Sequence, residues 1–341
     1  MPLPLLFIGI AAATATFGIG KSAKAAVDTN KAKKVNKEAN DVLERAINRL
    51  DSARKSSQTS LENLGRCKIG ILSGSISSFV DLYRKLKNVE IQDSVGIDEL
   101  SKFRIDKQEL KELEEMGGFA TSIFSGVTGG ALGGALTAFG AYSAAGTFAA
   151  ASTGTTIASL SGAAATNATL AFFGGGSLAA GGLGMAGGTM VLGGLVAGPA
   201  LAIMGILVGA KASAEKNKAY ENLAIAQKNA KEMEVASNMC NAISLRGDMF
   251  REVLYHLNGY LVNLNKKMAD IINEFGADYQ TFPISEKKNL AAAVAVVKAI
   301  KAVIDTPILT KDGDLTNESE KILLKTKGSD LYKGNFLFDN R

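Results

Sequence analysis

The feature that most constrains this chain is an uncharged block of 94 residues, Gly117 to Ala210, which contains no Asp, Glu, Lys, Arg or His. Charged residues are 21% of the whole chain, so about twenty would be expected in a window of this length. The block also holds 24 of the 37 glycines. A neutral stretch of this length is typical of segments that enter a bilayer, where unpaired backbone groups are costly and helix formation is forced.

The composition of the whole chain favours an all-α protein. The apolar fraction is 47%, but only 6% of residues are aromatic and there is no Trp, so a conventional large core is not expected. Five prolines in 341 residues leave long uninterrupted stretches on both sides of the block, and such stretches permit long helices.

Two charged arms flank the block, and each carries an apolar stripe in steps of three and four residues, which predicts amphipathic or coiled-coil helices. A block that returns to its starting side would bring the arms together as an antiparallel pair. Two independent helical bundles are the alternative. The stripe positions include Val35, Ala39, Val42, Ala46, Leu50 and Ala53 in the first arm and Ile243, Phe250, Leu257, Leu264 and Ile271 in the second.

The amino terminus is predicted to be an uncleaved hydrophobic anchor, since Leu3 to Gly20 is apolar and lysines follow rather than precede it. The positive-inside rule then places the arms in the cytoplasm. A cleaved signal peptide is the alternative. The chain divides into an anchor (1–20), a first arm (21–116), the membrane module (117–210), a second arm (211–281) and a carboxyl-terminal helix and tail (282–341).

Three local signals stand outside the block. Asp106 with Glu109 predicts a capping box that opens a short helix. A helix is expected to begin after Pro283 and to stop before Pro307, serving as a packing or interfacial helix because it is too short and too charged to span a membrane. The sequence 312–314, Asp-Gly-Asp, predicts a hairpin turn.

Glycines at four-residue spacing recur through the block. This spacing lays a flat groove along one helical face, so a neighbouring backbone can approach closely in lipid. We therefore predict a glycine zipper for helix packing, formed by Gly126, Gly130, Gly134, Gly184, Gly188, Gly194, Gly198, Gly205 and Gly209.

Nothing in the sequence predicts an enzyme, a cofactor or a metal site. The single histidine, His256, has no partner pattern around it and is interpreted as an ordinary helix residue. Cys67 and Cys240 lie 173 positions apart in different arms, which indicates free thiols. The modest net charge of +5 is spread along both arms without interleaved aromatics, so nucleic-acid binding is not expected.

The segments GVTGGALGG and GGLVAGPALAIMGILVGA between long helical arms resemble bacterial glycine-zipper membrane proteins, and the layout is more loosely similar to helical pore-forming toxins. The resemblance implies a protein of the bacterial inner membrane that oligomerises through glycine-faced helices, with the bilayer and a second copy as partners and pore formation or membrane perturbation as candidate activities. Two alternatives stay open. One is a membrane-tethered coiled-coil scaffold or signalling protein, similar to chemotaxis receptors, that recruits a protein through its arms. The other is a soluble helical protein that buries the block in its own core.

Overall fold

A computed structural model describes residues 23–89, 105–126, 136, 139–141, 216–310 and 313–333. Helix accounts for 89% of these residues, and none of them forms a strand beyond two isolated bridges. The all-α prediction is therefore confirmed.

Two very long helices dominate the described part of the chain. The first is α1, which continues through one turn of π-helix directly into α2, so the backbone stays helical from Ala23 to Lys85. The second is the helix Lys216–Phe275, and the remaining helices are shorter. The elements are α1 (Ala23–Ile71), the π-turn (Leu72–Ile76), α2 (Ser77–Lys85), α3 (Lys107–Gly126), α4 (Lys216–Phe275), α5 (Ile284–Asp305), α6 (Asn317–Gly328) and α7 (Asp330–Lys333).

Small side chains recur every seven residues on α1, and each is buried or half-buried. On α4 the buried positions follow steps of three and four from Ala226 to Ile271. A seven-residue repeat keeps one face of a helix against its neighbour, and small residues in it allow close approach. The positions on α1 are Ala32, Ala39, Ala46, Ala53, Ser60 and Cys67.

The chain divides into two compact units. The two-helix unit contains the described residues 23–53 and 216–238, and the multi-helix unit contains the remaining described residues. In the two-helix unit, Ala32 and Val35 pack with Ala219, and Leu50 packs with Met233. Residues later in α1 therefore contact residues later in α4.

The two helices therefore run parallel, and the prediction of an antiparallel pair is wrong. Asn222 Nδ2 donates to Asn36 Oδ1 at 3.2 Å, and the exposed Arg49 and Glu234 form an ion pair at 3.8 Å, so each residue of α1 meets one about 186 positions later. Asn36 and Asn222 are half-buried, and a polar pair between two packed helices helps to fix their register. The prediction assumed a hairpin-like return, but about 90 residues separate α3 from α4, and a connection of that length can carry the chain back to the starting end.

The multi-helix unit shows the same direction. Ser60 Oγ donates to Ser244 O at 2.8 Å, and Asn265 Nδ2 donates to Ser75 O at 2.7 Å. Gly247 lies where a Cβ atom would stand 2.6 Å from Ser60 Oγ, so the backbone of α4 comes close to α1.

The π-turn is the place where α3 crosses. A Cβ atom on Gly117 would stand 2.5 Å from Ser77 Oγ and 3.4 Å from Leu72 O. A π-turn displaces backbone carbonyls from their usual helical partners. Here Ser77 Oγ donates to Leu72 O at 2.9 Å, and Asn265 Nδ2 donates to Ser75 O. The wider turn is thus stabilised by side chains.

The local signals are confirmed. Glu109 N–H donates to Asp106 Oδ1 at 2.7 Å and Asp106 N–H donates to Glu109 Oε2 at 3.2 Å, which is a capping box. Helix α5 begins after Pro283 and ends before Pro307, and its residues 290–297 are buried in the core. Antiparallel pairing of Leu309 with Leu315 brackets the expected turn.

Candidate functional site

A lysine lies at the centre of the multi-helix unit. Lys68 belongs to the apolar stripe of α1, with Leu61 and Leu64 before it and Leu72 after it, and its exposed fraction is 0%. An ammonium group without partners would be very costly in such surroundings. Its position therefore depends on the atoms around Nζ.

Backbone carbonyls surround the ammonium group. Lys68 Nζ donates to Phe139 O at 3.2 Å, to Gly140 O at 3.3 Å and to Ile304 O at 3.2 Å. It also stands 5.8 Å from the centroid of the Phe139 ring. Ile304 lies in the last turn of α5, where carbonyls carry partial negative charge and lack intrahelical donors, so a buried cation is favourable there.

Two of these carbonyls belong to the uncharged block. Leu136 and residues 139–141, here called the block fragment, have helical backbone and lie in the core of the multi-helix unit. Ala141 O accepts from Ile308 N–H at 2.8 Å and from Leu309 N–H at 3.2 Å. The block fragment is therefore held by Lys68 and by the segment that follows α5.

Two glycines permit the close contact between the block fragment and α1. A Cβ atom on Gly65 would stand 2.0 Å from Leu136 O, and one on Gly140 would stand 2.0 Å from Leu61 O. Backbones at this separation make Cα–H···O contacts that larger residues prevent. The pairings 65 with 136 and 61 with 140 also show that the fragment runs antiparallel to α1.

Charged side chains join the helices around this site. Lys301 pairs with Asp305 at 2.6 Å and with Glu112 at 3.6 Å, and Lys298 pairs with Glu109 at 3.1 Å. The pairs with Glu112 and Glu109 connect α5 to α3, the helix that leads into the block. Each pair is partly exposed, so each contributes little to stability alone.

Burial changes the acid–base behaviour of two neighbouring groups. It lowers the pKa of Lys68 to about 7, against the opposing effect of the Asp305 carboxylate. It raises the pKa of the Cys67 thiol to about 11. Cys67 and Cys240 are both buried free thiols, and a protonated buried thiol is a poor nucleophile. Neither thiol is therefore activated for covalent chemistry.

The glycine-zipper residues fall almost entirely outside the described residues. Gly126 is the last residue of α3. The other eight, Gly130, Gly134, Gly184, Gly188, Gly194, Gly198, Gly205 and Gly209, lie outside the described residues. The close glycine contact that the structure does describe involves Gly65 and Gly140, which were not singled out from the sequence.

The single histidine lies on the exposed side of α4. His256 is exposed, and its Nε2 lies 2.7 Å from Tyr332 O beside the ring of Tyr260. Within the described ranges there is no group of three or more His, Cys, Asp or Glu that could hold a metal ion. The depression lined by Leu86, Met268 and Phe282 has no room for a water molecule.

None of the helices that the structure describes is both long enough and apolar enough to cross a membrane. Comparison with protein-family models, curated proteins and solved structures finds no match to this chain.

Proposed function

We propose that this chain is a membrane-inserting helical protein whose arms leave the bilayer side by side, with glycine-faced helices packing against each other in the lipid. The apolar segments that enter are Leu3 to Gly20 and the later part of the block, above all Met190 to Ala210. Both are uncharged and close to the length needed to span a bilayer.

The observation that supports this proposal is the parallel direction of α1 and α4. The packing of Ala32 with Ala219 puts the beginnings of both helices at one end of the two-helix unit. In the sequence, an apolar segment comes directly before each of these beginnings. Two membrane segments that emerge at the same membrane face would produce this arrangement, because both arms then start at that face.

The block fragment supports different roles for the beginning of the block and for its later residues. Leu136 and Phe139 are only 3% and 2% exposed in the multi-helix unit, among side chains of α1 and α5. Residues held in this way would attach the start of the block to the protein, while the later residues remain for the bilayer. The glycine contact between Gly65 and Gly140 is the kind of backbone packing that we propose for the lipid-embedded helices.

Vesicle flotation and carbonate extraction test the proposal. We expect the wild-type protein to float with vesicles and to resist carbonate. The double substitution Leu201→Lys and Ile203→Lys should shift the protein to the soluble fraction, because each Lys costs about 2.5–3.5 kcal/mol near the centre of a spanning helix. The matched control is Val235→Lys with Leu245→Lys, since these side chains are already 69% and 64% exposed. An unchanged distribution of the first variant would contradict insertion of this segment.

A second candidate is a helical protein that keeps the whole block in its own core. The burial of Leu136 and Phe139 favours it specifically. Its expected result is a monodisperse protein without detergent that does not float with vesicles. Dye release from the same vesicles separates pore formation from simple attachment.

A further inference from the structure

The end of the two-helix unit at which both helices begin carries exposed lysines. Lys31, Lys33, Lys34 and Lys37 on α1 and Lys218 on α4 are all exposed, and they are called the lysine cluster here. No acidic residue interrupts the sequence from 31 to 37.

The parallel register brings the lysine cluster together from two distant parts of the sequence. Ala32 and Val35 pack with Ala219, so the lysines beside them on α1 lie at the same level as Lys218. Six residues span only about 9 Å along a helix. The nearest acidic side chains described on the two helices are Glu38 and Glu221.

The charge is confined to this end. Residues 38–53 of α1 contain four acidic residues and two arginines, so the excess positive charge stops after Lys37. A helix face that is only solvated does not need its net charge to change sign in this way. On the other side, the chain continues through Lys24 and Lys21 into the apolar run Leu3 to Gly20.

We infer that the lysine cluster binds the headgroups of anionic phospholipids at the membrane surface. This inference rests on the proposed function, because it takes the adjoining apolar segments to be in the bilayer. Lysines near an anionic membrane surface are attracted to its negative potential, and this attraction is lost beyond a Debye length. Lysine acts as a flexible point charge, so a group of exposed lysines suits a surface that carries many phosphates better than it suits a single small ligand.

Vesicle binding with neutral and anionic lipids tests the inference. The probes are vesicles of phosphatidylcholine alone and vesicles with 30% phosphatidylserine. The test variant carries Lys31→Gln, Lys33→Gln, Lys34→Gln and Lys37→Gln. The control variant removes the same charge at four other exposed lysines, through Lys266→Gln, Lys267→Gln, Lys321→Gln and Lys325→Gln.

We expect wild-type protein and the control variant to bind the anionic vesicles at least about tenfold more tightly than the neutral ones, with the preference lost as salt is raised. The test variant should keep its binding to neutral vesicles and lose most of the preference. Equal preference in the test variant and the wild-type protein, or an equal loss of preference in the control variant, would overturn the inference. Failure of the wild-type protein to bind either vesicle would overturn the proposed function as well.

Discussion

A single methyl group at Gly65 should reveal whether the block fragment lies against α1. In Gly65→Ala the new Cβ atom would stand 2.0 Å from Leu136 O, whereas ordinary contacts begin at 3.4 Å. The obstacle is backbone, which cannot rotate away, so the fragment must move by about 1.4 Å. Such overpacking lowers the free energy of unfolding by about 1–3 kcal/mol. The higher helix preference of Ala over Gly raises it by about 1 kcal/mol. We therefore expect a net destabilisation of up to about 2 kcal/mol, and a stability about 1–3 kcal/mol below that of a variant that gains only the helix preference of Ala.

The matched control is Gly70→Ala, five residues further along the same helix. A Cβ atom there meets nothing within 4 Å, so only the helix preference of Ala acts and stability should rise by up to about 1 kcal/mol. Thermal unfolding followed by circular dichroism at low salt should separate the two variants, at about 2–4 °C of Tm for each kcal/mol. Gly140→Ala should behave like Gly65→Ala, because its Cβ atom would stand 2.0 Å from Leu61 O. If Gly65→Ala instead stabilises the protein as much as Gly70→Ala does, the fragment is not packed as described.

Further predictions concern ionisation, capping and thiol reactivity. Burial holds the pKa of Lys68 near 7, far below that of an unfolded lysine, so above pH 7 the unfolded chain binds more protons than the folded one. The free energy of unfolding, measured by urea titration, should therefore rise from pH 7 towards pH 10 relative to Lys68→Met, by at most about 1.4 kcal/mol per pH unit. A constant difference between the two proteins would contradict this. Asp106→Ala should cost about 1 kcal/mol in the same assay, because the Glu109 N–H loses its acceptor, and a neutral effect would mean that the box does not stabilise α3. Cys67 and Cys240 should react with a thiol reagent only after unfolding, since burial raises the pKa of both; fast labelling of the native protein would refute their burial.

Signals that depend on neighbouring residues could be predicted from the sequence. The capping box at Asp106 and Glu109 and the ends of α5 at Pro283 and Pro307 involve hydrogen bonds and steric limits within four residues. The stripes of α1 and α4 were also visible, because burial on one face repeats with the helix period.

The direction of the arms could not be predicted in the same way. Heptad spacing shows that a helix has a partner face, but it does not show which end of the partner lies beside it. That information depends on where a connection of about 90 residues leads, and loop closure depends only weakly on such a length.

The position of Lys68 in the apolar stripe is visible in the sequence, but its partners are not. It lies four residues after Leu64 and four before Leu72, inside the apolar stripe rather than beside it. A lysine on a helix is ordinarily a solvated residue. The pattern alone therefore does not reveal that the carbonyls of Phe139 and Ile304 accept hydrogen bonds from it. Those acceptors come from positions 71 and 236 residues away.

The hydrogen bond between Asn36 and Asn222 has a topological consequence. A covalent cross-link engineered between these two positions would close one ring that contains every residue from 36 to 222, including the entire uncharged block. A single protease cut anywhere inside this ring would leave the two fragments joined, whereas the same cut in the unlinked protein would release them. Gel mobility of cut, linked protein would thus report where the chain is accessible without separating its halves.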